Sequence, residues 1–335
     1  MRRRHFLSFM AGGMLAWPLA LRAQSAAMPV VGFLSSGSES TFAGLLKAFH
    51  QGLAEQGFVE GRNVAFEYRW ADGDYNRLPA LSAELVSHHV ALIAATGGTM
   101  SAQAAKAATA TIPVLFLAGS DPVKFGLVAS VSRPGGNATG VSVVTTLLVK
   151  KRLELLRELA PEVSAIAVLL NPGSTSFEFE RRLGTEGEQE EATAAAQVAG
   201  IKLIMMQARS EADLAPAFES AVNRGAGALL VSADPFFTDR RAAIVELAKR
   251  YRLPAVYPWR QFVAAGGLAS YGPSISEAYR QVGQYAGRIL KGAKPADLPV
   301  QRPNTFELVI NTTTARTLGV DLSPGMIARA DEVIE

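Results

Sequence analysis

Short apolar runs alternate with amphipathic stretches along most of the chain. Pro29 to Leu34 is apolar and ends in Ser35-Ser36-Gly37-Ser38. Phe42, Leu45, Leu46, Phe49 and Leu53 then recur at three-to-four spacing, which predicts a helix stopped by Gly57. Asn63 to Trp70 alternates through Val64, Phe66, Tyr68 and Trp70, a strand pattern, and Leu78 to Val86 is helical. Val90 to Ala95 reads as a buried strand, followed by Thr96-Gly97-Gly98-Thr99 and an Ala-rich helix to Ala110. Pro113 to Ala118 is a strand ending in Gly119-Ser120-Asp121-Pro122, and Thr139 to Val144 is another.

A second series has the same grammar. Helices are predicted over Thr146 to Leu159, up to Ala199, over Ala212 to Val222, Phe237 to Tyr251 and Ser274 to Leu290, and near Thr312 to Leu318. Strands are predicted over Ala165 to Leu170, Ile201 to Gln207, Gly227 to Ala233, Pro254 to Tyr257, Leu268 to Tyr271 and Phe306 to Ile310. A polar, acidic stretch runs from Ser174 to Glu191. Repeated βα units imply parallel sheets covered by helices on both faces. The strands are too many for one small sheet, so an α/β fold of two doubly wound lobes fits the 335 residues. Ligands of open α/β sheets bind outside the carboxyl ends of the strands, so facing lobes would enclose a cleft there.

Composition removes several function classes. The chain has no cysteine, which excludes disulfides, thiolate zinc sites, iron–sulfur clusters and a cysteine nucleophile. The net charge of +3 includes Arg2, Arg3, Arg4 and Arg22; without these four it is 3 − 4 = −1, which is no nucleic-acid footprint. Residues 1–27 form an expected export signal, with Arg2-Arg3-Arg4, an apolar run from Phe6 to Leu21 and small residues around Ala23 to Ala27. Arg3-Arg4-His5-Phe6-Leu7 fits the twin-arginine form. The run is shorter than a membrane span, and no later segment is long and apolar enough to cross. The Lys150-Lys151-Arg152 run reads as a solvated face, and His88-His89 as a solvated helix end rather than a metal site.

No phosphate-binding, dinucleotide, zinc-protease or serine-hydrolase motif is present. What remains at the strand ends is hydroxyl, glycine and carboxylate chemistry. Thr96-Gly97-Gly98-Thr99 opens a helix, where free N–H groups and Thr hydroxyls suit a carboxylate or phosphate; it also fits an ordinary N-cap with a Gly turn. Ser35 and Ser36 lie on the first such loop, and Ser120 and Asp121 on another. Asp121 and Asp234 each precede proline, which suits both turn initiation and an acid for an ammonium group. Tyr257, Trp259 and Tyr271 are candidates for an aromatic wall, and Trp259 fits a core position equally.

Several words of the sequence resemble one family. They include Gly57-Phe58-Val59-Glu60-Gly61-Arg62-Asn63-Val64, Tyr68-Arg69-Trp70-Ala71-Asp72-Gly73 and Ala104-Ala105-Lys106-Ala107-Ala108-Thr109. Asp121-Pro122-Val123, Arg133-Pro134-Gly135-Gly136-Asn137-Ala138-Thr139-Gly140-Val141 and Gly266-Gly267-Leu268-Ala269-Ser270-Tyr271-Gly272 belong with them. Together they resemble the ABC-transporter substrate-binding proteins of the tryptophan/tyrosine-uptake type, from about Met28 to Val320.

The resemblance implies a type I periplasmic binding protein fold, two Rossmann-like lobes joined by a three-stranded hinge. Lobe 1 would take residues 28–141 and 272–303, and lobe 2 residues 142–271 and 304–335. It implies a monomeric, exported protein that binds a small-molecule ligand such as an amino acid and hands it to an ABC permease in the inner membrane. No catalysis, cofactor, metal or nucleic acid is implied. By position, the family's cleft loops fall at Ser35-Ser36, Thr96 to Thr99, Ser120-Asp121, Asn171, Asp234 and Tyr257. Met100 departs from the family pattern, in which proline is common, and Glu178 to Glu191 is unusually acidic. Two other functions remain open on the sequence: a sensor presenting solute to a membrane receptor, and a periplasmic enzyme with Asp121 or Asp234 as general base.

Overall fold

The computed structural model describes residues 28–172 and 188–335. The expected export signal and most of the acidic stretch lie outside these residues. Among the described residues no helix is long and apolar enough to cross a membrane.

The first sheet has five parallel strands in the order β2-β1-β3-β4-β5. They are β1 (Val30–Ser35), β2 (Ala65–Trp70), β3 (Leu92–Ala95), β4 (Val114–Ala118) and β5 (Ala138–Ser142). β3, β4 and β5 are buried at every position, which is why they read as continuous runs rather than alternations. The edge strand β2 is half-buried throughout and stacks Phe66 on Tyr68 at 5.4 Å. Helices α1 (Glu39–Glu55), α2 (Leu78–Ser87) and α3 (Gly98–Ala108) follow β1, β2 and β3.

The second sheet has seven strands in the order β12-β11-β10-β9-β8-β6-β7. They are β6 (Ala165–Leu170), β7 (Lys202–Gln207), β8 (Ala228–Val231), β9 (Ala255–Tyr257), β10 (Ala269–Pro273), β11 (Phe306–Asn311) and β12 (Glu332–Ile334). The sheet is not purely parallel: β11 runs antiparallel to β10, because the chain reaches it on its way back from the first lobe. Its helices are α4 (Val149–Leu159), α5 (Glu188–Ala199), α6 (Glu211–Asn223), α7 (Pro235–Asp239), α8 (Arg241–Arg250) and α9 (Arg260–Ala264). Helix α10 (Ile275–Leu290) belongs with the first sheet, and α11 (Thr312–Leu318) and α12 (Pro324–Arg329) follow β11.

Helix α10 packs along α1 through glycines. A Cβ on Gly52 would stand 1.8 Å from the Arg280 carbonyl oxygen, and one on Gly283 2.0 Å from that of Phe49. The two backbones therefore meet with no side chain between them. Arg280 of α10 also pairs with Glu55 of α1 at 2.6 Å and with Glu277 at 2.7 Å.

Three expectations from sequence are corrected. Phe237 to Tyr251 is not one helix: Arg240 leaves helical geometry (φ −97°, ψ 17°) and separates α7 from α8. Residues 146–148 form a 3-10 turn before α4. The Lys150-Lys151-Arg152 run is not wholly solvated, since Arg152 is 1% exposed. Helical spacing puts Arg152 on the face of Val149, Leu153 and Leu156, and its Nε donates to the Tyr271 carbonyl on β10 at 2.8 Å. His88 and His89 are exposed at the end of α2, with His88 Nδ1 2.7 Å from Glu67.

Candidate functional site

In each sheet the strand order reverses at one place, and the carboxyl-end crevice opens there. In the first lobe this point lies between β1 and β3, and in the second between β6 and β8. A cavity of about 200 Å³ lies between the two sets of loops. The first lobe contributes Thr96, Gly97, Gly98, Thr99 and Met100 after β3, Gly119 and Ser120 after β4, and Tyr75 after β2. The second contributes Asn171 after β6, Ser232 and Asp234 after β8, and Trp259 after β9. Phe42 of α1 and Ile275 and Tyr279 of α10 complete an apolar side.

Local sequence explains each placement. Gly98 starts α3 at φ +83°, a left-handed conformation that an L side chain resists. A Cβ there would also lie 2.8 Å from Pro235 of the other lobe. Thr99 Oγ1 accepts from the Ser120 N–H at 3.3 Å, which ties two of the loops together. Tyr279 donates to the Thr96 carbonyl at 2.9 Å, so α10 holds the same loop from behind. Thr96 Oγ1 is buried and has no hydrogen-bond partner within the described protein. A buried hydroxyl left unpaired costs about 1–3 kcal/mol, and a polar solute in the cavity would relieve that cost.

Asp234 is the N-cap of α7, with Pro235 at the first helical position and the Phe236 N–H donating to Oδ1 at 2.9 Å. The same oxygen accepts from Asn171 Nδ2 at 3.1 Å and from the Tyr75 hydroxyl at 2.7 Å. Burial, and then the neighbouring Asp234 carboxylate, push the Tyr75 phenol well above its ordinary pKa, so it stays a neutral donor. Asp234 is the sole charged side chain among the described lining residues. Backbone and hydroxyl donors together with a carboxylate in one cavity suit a zwitterion. Among the described residues no cluster of His, Cys, Asp or Glu could hold a metal ion.

Of the residues singled out from sequence, the structure brings Thr96, Gly97, Gly98, Thr99, Ser120, Asn171 and Asp234 to the cavity wall. Five others stand elsewhere. Ser35 Oγ accepts from the Gly37 N–H within its own turn, at 3.2 Å. Ser36 Oγ donates to the Gly97 carbonyl at 2.7 Å, one layer behind the wall. Asp121 caps the turn beneath it, accepting from the N–H groups of Val123 and Lys124. Tyr257 is buried and stacked on Phe262 at 4.9 Å, and Tyr271 stacks on Phe306 at 6.2 Å. Trp259 is the aromatic candidate that reaches the cavity. Tyr75, Thr145 and Thr238 also reach it and were not anticipated. Tyr75 follows the Ala71-Asp72-Gly73 turn at the carboxyl end of β2, so the strand-end rule would have found it.

Known proteins resemble this chain over most of its length. A tyrosine-binding protein of Clostridioides difficile (strain R20291) is 27% identical over 272 residues, which is 81% of this chain and 75% of that protein. A conserved domain protein of Vibrio cholerae O1 biovar eltor has a crystal structure matching 91% of this chain and 99% of its own, at 27% identity and TM-score 0.81. The structure of an ABC domain from Streptococcus pneumoniae in complex with L-Trp matches the same shares at 27% identity and TM-score 0.80. These likenesses agree with the two-lobed α/β architecture of type I periplasmic binding proteins. Residues 32–334 match the family model described as ABC transporter substrate binding protein, and the protein belongs to that family.

Proposed function

We propose that this protein is the periplasmic solute-capturing component of an ABC importer, enclosing one α-amino acid or related small carboxylate between its lobes. The observation that carries the reading is a cavity of about 200 Å³ walled by strand-end loops of both lobes. A cavity of about 150 Å³ takes benzene, so this one has room for a ring-sized side chain and a few polar atoms. The first turn of α3, whose N–H groups have no intrahelical acceptors, receives the carboxylate together with the Thr96, Thr99 and Ser120 hydroxyls. Asn171 and Asp234 receive the ammonium group, and Phe42 and Trp259 the side chain. The described functions of similar proteins, tyrosine binding and an L-Trp complex, make aromatic amino acids the first candidates.

Because both lobes touch the same solute, binding favours the state in which they meet. The export-type segment at residues 1–27 supports delivery to the periplasm, and family membership supports hand-off to an inner-membrane permease.

Isothermal titration and thermal shift with L-tryptophan, L-tyrosine, other amino acids and short carboxylates test the reading. Solute at 100-fold excess over Kd adds about 2.7 kcal/mol of stability. One-to-one binding without turnover is the expected result. Silence across the panel, or conversion of a bound solute, overturns it. Uptake into vesicles carrying an ABC permease, with and without this protein, separates transport from sensing.

A further inference from the structure

The lobes also meet outside the cavity, at the far end of α7. Asp239 is the last residue of that helix, and its carboxylate is shielded from solvent. Its Oδ1 accepts from the Ser38 backbone N–H at 3.2 Å and the Ser38 hydroxyl at 2.7 Å, and also takes the Thr41 hydroxyl. Ser38 is the N-cap of α1, yet its side chain makes no cap bond to α1's own backbone N–H groups. A carboxylate from the second lobe thus completes a helix N-terminus in the first, where unpaired N–H groups and the helix dipole both favour negative charge. Ser38, Thr41 and Asp239 do not line the cavity.

The rest of α7 is fitted to the same docking. Phe236 packs against Gly73, where a Cβ would lie 3.3 Å from its ring. In its own lobe Asp239 is paired with Arg240, which also holds Glu211 at 2.8 Å. The carboxylate keeps this cationic partner when the lobes separate, so opening does not strand a bare charge.

We propose that Asp239 is a latch residue. By completing the N-terminus of α1 it holds the lobes together through a contact that needs no solute, and it thereby tunes the affinity of a cavity it does not touch. The inference rests on the closure reading above. Apparent affinity scales with the population of the binding-competent arrangement, so a contact remote from the solute enters the measured Kd.

The cysteine-free chain suits a direct test. Lys47→Cys in α1 and Glu219→Cys in α6, both exposed, place one spin label on each lobe. Double electron–electron resonance then reads the open and closed shares, with and without L-tryptophan as probe. Asp239→Asn and Thr41→Val are each expected to raise the open share in both conditions, and together little more than either alone, because they break one contact. If L-tryptophan binds, its affinity falls about tenfold in each variant. Circular dichroism melts establish that the variants are folded. Unchanged shares in both single variants, full additivity, or a wild-type chain open in every condition overturns the latch. If L-tryptophan fails to bind, the solute-free distances still decide the latch, so the two readings fail separately.

Discussion

The Tyr75 hydroxyl of the first lobe donates to Asp234 Oδ1 of the second at 2.7 Å, inside the cavity wall and without an intervening group. Its acceptor is also the N-cap of α7, so one carboxylate serves helix start, cavity and lobe contact. Tyr75→Phe keeps the ring and removes the bond. It is expected to weaken solute binding by about 1.5–3 kcal/mol, the usual range for a bond to a charged group. Titration calorimetry with the best stabiliser from the solute panel checks this; an unchanged Kd would remove Tyr75 from the closing contacts.

Thr96→Val should act with opposite signs on two measurements. Among the described residues the buried Thr96 hydroxyl has no hydrogen-bond partner, so its loss is expected to stabilise the solute-free chain by about 1 kcal/mol. The same change removes a bond to the solute and weakens binding by a similar amount. Urea melts and calorimetry on one preparation give both numbers. A destabilised variant with normal affinity would show that Thr96 serves the fold alone.

Gly98→Ala adds a methyl group at φ +83° and 2.8 Å from Pro235. The backbone conformation alone costs about 1–2 kcal/mol. The methyl group also stands where the lobes meet, so solute affinity is expected to fall at least tenfold. Gly57→Ala, at φ +87° with open space around it, carries the backbone strain without the lobe contact and should leave affinity unchanged. Equal effects in the two variants would place the cause in backbone strain.

Arg152→Met tests the buried cation beneath β10. It removes the donor to the Tyr271 carbonyl and leaves that oxygen short of a partner, at a cost of about 1–3 kcal/mol. Arg152→Lys supplies charge but not the planar fork, and should restore little of the lost stability. Denaturant midpoints for the three proteins settle the matter; full recovery with lysine would show that charge alone is needed.

The α1–α10 ion pairs predict an acid dependence. Bonds from Arg280 hold the Glu277 carboxyl below the ordinary glutamate range, and Gln284 followed by Arg280 does the same for Glu55. A depressed carboxylate contributes its stability above the unfolded-state value, near pH 4.3, and loses it as pH falls through the folded value. The denaturation midpoint of Arg280→Gln should therefore fall less steeply than wild type below about pH 4.3. Parallel curves would mean that these exposed pairs add nothing to the seam.

Much of the fold is legible in the sequence because both faces of most strands are buried. β4, Val-Leu-Phe-Leu-Ala, has no polar position to confuse its reading. The elements that escaped notice are short and held from outside. β12 is three residues long, paired to β11 and tied through Glu332 to Arg260. The break at Arg240 was invisible because the side chain that occupies the end of α7, Asp239, is engaged by the opposite lobe. At the site, strand-end position brought the right loops into view but could not distinguish the wall from the layer behind it. Ser36 and Thr96 sit on neighbouring loops with similar hydroxyls; one bonds the backbone of the other's loop, and the other faces the cavity.

The glycine seam between α1 and α10 also governs the order in which a growing chain can become whole. The five strands of the first sheet are complete at Ser142, while the helix that covers α1 begins only at Ile275. The Arg280–Glu55 pair joins positions 225 residues apart. Until the ribosome has made most of the second lobe, the first carries an open groove along Phe49, Gly52 and Leu53. Contacts of such long sequence separation form late and slowly. The α1 seam of the first lobe therefore stays uncovered until α10 has been made, late in the synthesis of the chain.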